Sequence, residues 1–131
     1  MAILARSNQV NFKRQEVVAR SLTTNPNSNN DTVTQATNRS TGVTVNTTAG
    51  QITTDTTSLA GAAEATFTVT NNKVTAKSVP VVAVASGATG TTIAYVSAVA
   101  SGSFDITVAN LHASTAETGA LVINFVILGV E

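Results

Sequence analysis

Cysteine and tryptophan are missing from the chain, and tyrosine, histidine and methionine occur once each. Without cysteine there is no disulfide framework and no thiol chemistry. Charged side chains make up 11% of the residues, against roughly 25% in an ordinary globular domain. Long hydrophobic runs are also lacking. The longest, Gly119 to Val130, is broken by Asn124 and is too short to cross a bilayer as a helix. No secretory pattern opens the sequence, because Ile3 and Leu4 are followed at once by Arg6, Ser7, Asn8 and Gln9. These absences predict a soluble protein made in a cytoplasm, with no membrane partner. What is abundant is 23 Thr, 20 Ala, 18 Val and 12 Asn in 131 residues. Apolar residues reach 43%, enough for a core, and Thr and Val suit a pleated, half-buried surface.

Three zones differ in composition. Residues 1–22 hold most of the basic charge, and residues 23–41 are nearly all Thr, Asn and Ser around Pro26. The second stretch has too little apolar surface to offset its own ordering entropy. Residues 1–40 are therefore predicted to be an N-terminal arm and polar linker, ordered only against a partner, with one possible helix at 12–20. Residues 41–131 are predicted to be the folded domain. Arg6, Lys13, Arg14, Arg20 and Arg39 make the arm net basic, whereas Asp55, Glu64, Asp105, Glu117 and Glu131 outnumber Lys73 and Lys77 in the domain.

The period of the domain is two. Phe67 and Val69 alternate with Thr66, Thr68 and Thr70, and Phe104, Ile106 and Val108 alternate with Asp105 and Thr107. Turn signals fall at Ala49-Gly50, Asn71-Asn72, Ser86 through Gly90, and Ser101-Gly102. Strands are predicted near 43–47, 51–54, 65–70, 79–85, 92–100, 103–109 and 120–128. The fold class is all-β, a β-sandwich or jelly-roll-like body carrying an extended N-terminal arm. Two strands break the alternation. Residues 79–85 and 120–128 are apolar on both faces, whereas a strand on the surface of a monomeric sandwich is wet on one side. Either the chain's own arm or loops cover the second face, or it is a subunit interface. In the second case Val122, Asn124, Val126 and Leu128 form the buried seam.

Reactive groups are scarce. His112, the one imidazole, lies in a predicted loop, and no Gly-x-Ser-x-Gly pattern supplies a nucleophile elbow. Asp55, Glu64, Asp105 and Glu117 could pair as acids, but the aromatic platforms of a sugar-processing cleft are lacking. Asn27, Asn29 and Asp31 alternate oxygen side chains without the other ligands of a calcium loop. No catalytic residue, cofactor or metal is expected. Four cations beside Phe12 are few for nucleic acid, so no nucleic-acid partner is expected. The arm instead suits docking on a protein surface, with Ile3, Leu4 and Phe12 as anchors and Arg6, Lys13, Arg14 and Arg20 steering.

Four runs carry a family likeness: GQITTDTTSLAGAAEATFTVTNNKV at 50–74, VPVVAVASG at 79–87, AYVSAVASGSFDITVANL at 94–111 and ALVINFVIL at 120–128. Together they resemble small virion proteins of tailed bacteriophages of the marine and cyanobacterial kind. The resemblance spans the body and leaves out the first 40 residues. It implies a virion structural role with no catalytic residues to carry over: a sandwich module on the capsid, or a module of a fibre or spike. The leading expectation is a capsid decoration (cement) protein, bound to the outside of the major capsid protein shell. A head fibre or tail spike module and a carbohydrate-binding sandwich are the alternatives. A homotrimer is expected, because strands apolar on both faces leave more apolar surface than one sandwich covers.

Overall fold

The structure, a computed structural model, describes residues 30–129. The possible helix at 12–20 and the arm residues Ile3, Leu4, Arg6, Phe12, Lys13, Arg14 and Arg20 lie outside that range. Eight strands are formed: β1 (Asn30–Thr34), β2 (Val43–Thr44), β3 (Ala49–Thr53), β4 (Glu64–Thr70), β5 (Val79–Ser86), β6 (Thr92–Ala100), β7 (Ser103–Asn110) and β8 (Val122–Leu128). They make two four-stranded sheets, in the orders β1-β3-β8-β5 and β2-β4-β7-β6. The pairs β1–β3 and β2–β4 are parallel and the others antiparallel. The protein is an all-β sandwich, as the period-two pattern predicts. Successive strands switch sheets except at the β6–β7 hairpin, where Ala100 pairs with Ser103 across Ser101-Gly102.

Alternation decides what enters the space between the sheets. Phe67 and Val69 of β4, Phe104, Ile106 and Val108 of β7, and Ile123, Phe125 and Ile127 of β8 all point inward and are buried. Thr66, Thr68 and Thr70 point outward. The rings of Phe104 and Phe125, one from each sheet, meet at 6.0 Å between centroids with a 53° tilt. Such tilted aromatic contacts add about 1 kcal/mol beyond the area they bury. Thr107 is buried although it faces outward, because β7 is central and Thr66 and Ser97 flank it. Its hydroxyl lies 2.8 Å from that of Thr66 and donates to Ser97 Oγ at 2.9 Å.

The polar linker read from 23–41 does not hold for its second half. Residues 30–34 form an edge strand in register with β3, and Gln35 and Arg39 are buried. Backbone pairing to a strand already held by the core orders this segment, with Val33 as its one apolar anchor. Side-chain hydrogen bonds then stand in for the missing apolar surface. Gln35 Nε2 donates to the carbonyls of Arg39 and Thr41, and its Oε1 accepts the N–H of Asp55. The strand expected at 43–47 is shorter than its alternation suggests, with two residues paired to β4, although Val45 stays buried.

Candidate interaction surface

Glu117 and Arg39 are, among the described residues, the two charged side chains that are buried. Glu117 sits in the chain between β7 and β8, where a bridge to Leu59 ties two long connections together. Its Oε1 accepts the hydroxyl of Thr89 at 2.8 Å and the N–H of Gly119 at 2.8 Å. Its Oε2 accepts the N–H of Thr89 at 2.9 Å and the hydroxyl of Thr92 at 2.8 Å. Burial alone would raise its pKa. The donors from Gly119, Thr92 and Thr89 outweigh that and draw it down to about 2. At neutral pH Glu117 is thus an ionised acceptor with its oxygens occupied, not a proton donor.

Arg39 meets the same loop through its backbone. Nη2 donates to the carbonyls of Glu117 and Gly119, Nη1 to Thr54 Oγ1, and Nε to the carbonyl of Thr57. Desolvation lowers its pKa, and the fields of Glu117 and Asp55 act against that. Asp55 is itself drawn down by the hydroxyl and N–H of Thr57. Asn110 donates to the carbonyls of Leu59, Ala60 and Thr115 and accepts the N–H of His112. Among the described residues, no buried side-chain nitrogen or oxygen lacks a partner. A hollow of about 150 Å³ opens beside this cluster, lined by Thr89, Thr92, Asn110, His112, Thr115 and Glu117. Small-molecule sites run from about 300 Å³ upward. His112 is exposed on the loop expected for it, and its Nδ1 accepts the N–H groups of Ser114 and Thr115. The hydrogen-bonded charges here tie connections together and present no activated nucleophile.

The seam residues expected on β8 fall on the outer face of the β1-β3-β8-β5 sheet. Val122 and Val126 are half-buried, and Asn124 and Leu128 are exposed. Because β8 lies inside its sheet, this row has neighbours on both sides. Register places Ala49, Gln51 and Thr53 of β3 on one flank and Val79, Val81 and Ala83 of β5 on the other. Asn124 accepts a hydrogen bond from Gln51 at 2.9 Å, so its amide is engaged within the sheet. The face divides into a polar half around Gln51 and Asn124 and an apolar half around Val79, Val81, Val126 and Leu128. Sequence reading located the β8 row and the two-faced apolar character of β5, but not that register sets Val79 and Val81 beside Leu128 and Val126. Nor did it find the Arg39–Glu117 cluster, since single charged residues in loops carry no periodic signal.

No protein-family model, curated protein or solved structure matches the chain.

Proposed function

We propose that the chain is a non-enzymatic virion structural protein, a capsid decoration (cement) protein that binds the outside of the major capsid protein shell and stabilises it. The observation that carries this reading is how the body uses its polar groups. Buried Arg39 and Glu117 are consumed in hydrogen bonds that hold loops, while large apolar side chains such as Val79, Val81 and Leu128 are left exposed on the sheets. A body whose described charged groups serve to hold loops while apolar side chains stay exposed suits assembly. The bacteriophage resemblance of the strand segments points the same way. In this reading residues 1–22 dock on the shell through Ile3, Leu4, Arg6, Phe12, Lys13, Arg14 and Arg20. The protein acts as a trimer, because icosahedral shells offer three-fold positions at which three arms find equivalent partners.

The test is a reconstruction of the purified particle together with its protein composition. The expected result is this chain on the outer shell surface in many copies, grouped about three-fold positions. Its absence from the particle would overturn the reading. Confinement to the tail would replace it with the fibre or spike alternative.

A further inference from the structure

The outer face of the β2-β4-β7-β6 sheet carries Tyr95, the one tyrosine of a chain without tryptophan. Its hydroxyl donates to Glu64 Oε1 at 3.3 Å. The two residues stand on β6 and β4 with β7 between them, about 10 Å apart at two strand spacings. A side chain that reaches across this gap lies over β7 and does not stand up from the sheet. Burial agrees with that placement. Thr107 and Ala109 of β7 face outward by register, paired with Tyr95 and Glu64 respectively, yet they are 3% and 4% exposed. Tyr95 itself is 39% exposed. One face of the ring therefore rests on the sheet, the other meets solvent, and the ring is held at both ends.

Polar groups surround the ring on the same face. Thr107 Oγ1 donates to Ser97 Oγ at 2.9 Å, so Thr66 is the donor in its 2.8 Å contact with Thr107. That order leaves the Ser97 hydroxyl proton available as a donor. Asp105 Oδ1 accepts the hydroxyl of Thr68 at 2.7 Å, much as Glu64 Oε1 accepts that of Tyr95. Among the described residues no donor meets the second oxygen of either carboxylate, and no Lys, Arg or His lies on β4, β6 or β7.

We propose that this face is a binding site for a neutral oligosaccharide stacked on Tyr95. It goes beyond the shell-binding reading and does not depend on it. The negative π-face of an aromatic ring attracts the C–H groups on the flat side of a pyranose, whose hydroxyls then project at the rim. Around Tyr95 the rim offers acceptors at Glu64 and Asp105 and a donor at Ser97. This set complements hydroxyls, which both give and take hydrogen bonds. Because Glu64 already fixes the ring, binding costs little side-chain entropy.

Other ligand classes fit less well. Two carboxylates with no cation on their strands repel phosphate, sulfate and uronate groups, which disfavours nucleic acid and acidic glycans. A quaternary ammonium group is held by a cage of several rings, and here a single ring lies open. The rungs from Glu64 to Thr68 run about 14 Å along the strands, so the face has room for a short chain of sugars laid flat.

With one Tyr and no Trp, the intrinsic fluorescence of the chain reports Tyr95 alone. The test is titration of the full chain with cellohexaose, chitohexaose and mannohexaose, and with choline and heparin as the cationic and anionic alternatives. The expected result is a saturable change with at least one of the oligosaccharides, in the millimolar range, and none with choline or heparin. By isothermal calorimetry, Tyr95→Ala should weaken binding of that oligosaccharide about tenfold or more, and so should the double variant Ser97→Ala/Asp105→Asn. Gln51→Ala, on the outer face of the other sheet, should bind as the unsubstituted protein does. Circular dichroism checks that each variant is folded, and the double variant carries the test should Tyr95→Ala lose the fold. No saturable change with any of the oligosaccharides, a stronger response to choline or heparin, or full binding by either folded face variant would overturn the proposal. Each is read on the free protein, so failure here is distinct from absence of the protein from the particle.

Discussion

Replacing Glu117 with Gln exchanges one carboxylate oxygen for an NH₂ group and removes one charge, and the surrounding geometry fixes the outcome. Each carboxylate oxygen accepts one hydroxyl and one backbone N–H: Thr89 Oγ1 and Gly119 N at Oε1, Thr92 Oγ1 and Thr89 N at Oε2. A hydroxyl can rotate to accept from an amide, but a backbone N–H cannot. Whichever way the Gln amide turns, its NH₂ faces a backbone donor that is then left unsatisfied. One orphaned donor plus the loss of charge on the remaining acceptor costs about 3 kcal/mol. The pKa leads to a similar figure. Holding the carboxyl near 2 against 4.5 when unfolded corresponds to about 3 kcal/mol. The folded-state pKa is the depressed one, so this stabilisation is complete above about 4.5 and is lost as pH falls through about 2. Urea unfolding of Glu117→Gln and the unsubstituted protein, followed by far-ultraviolet circular dichroism, should therefore differ by about 3 kcal/mol at pH 7 and by about half that at pH 3. A difference below about 1 kcal/mol at pH 7 would refute the accounting, since it is less than the cost of one buried donor. A difference that stays the same from pH 7 to pH 3 would refute the assignment to the carboxylate.

The left-handed glycines separate strain from collision. Gly87 has φ 87°, and an added Cβ would lie 1.9 Å from the carbonyl oxygen of Ala120, whereas Gly102 has φ 84° with open space around it. Gly87→Ala should cost about 3 kcal/mol or more and Gly102→Ala about 1–2 kcal/mol in thermal or urea unfolding, and equal costs would show that the backbone contact relaxes freely. Deleting residues 1–22 should leave the melting temperature of the body and its association unchanged while reducing shell binding in a co-sedimentation assay with purified particles. Undiminished binding would reject the docking role of the arm.

Most of the architecture was legible because the inward rows of β4, β7 and β8 are apolar and their outward rows are not. Phe67, Phe104 and Phe125 sit where a period of two puts them, and the Ser101-Gly102 turn marks its hairpin. Strand β1 was not legible, since Asn30–Thr34 has one apolar residue and gains its order from pairing with β3 in parallel register. That pairing depends on a distant segment, and composition reports only what a stretch can do alone. Arg39 and Glu117 were hidden for a related reason. A buried charge is recognisable by its donors and acceptors, and these come from residues far apart in sequence, such as Thr54, Thr89 and Gly119. The apolar second face of β5 and β8 was visible as an anomaly. Its division into a polar half, where Gln51 meets Asn124, and an apolar half toward β5 needed the register.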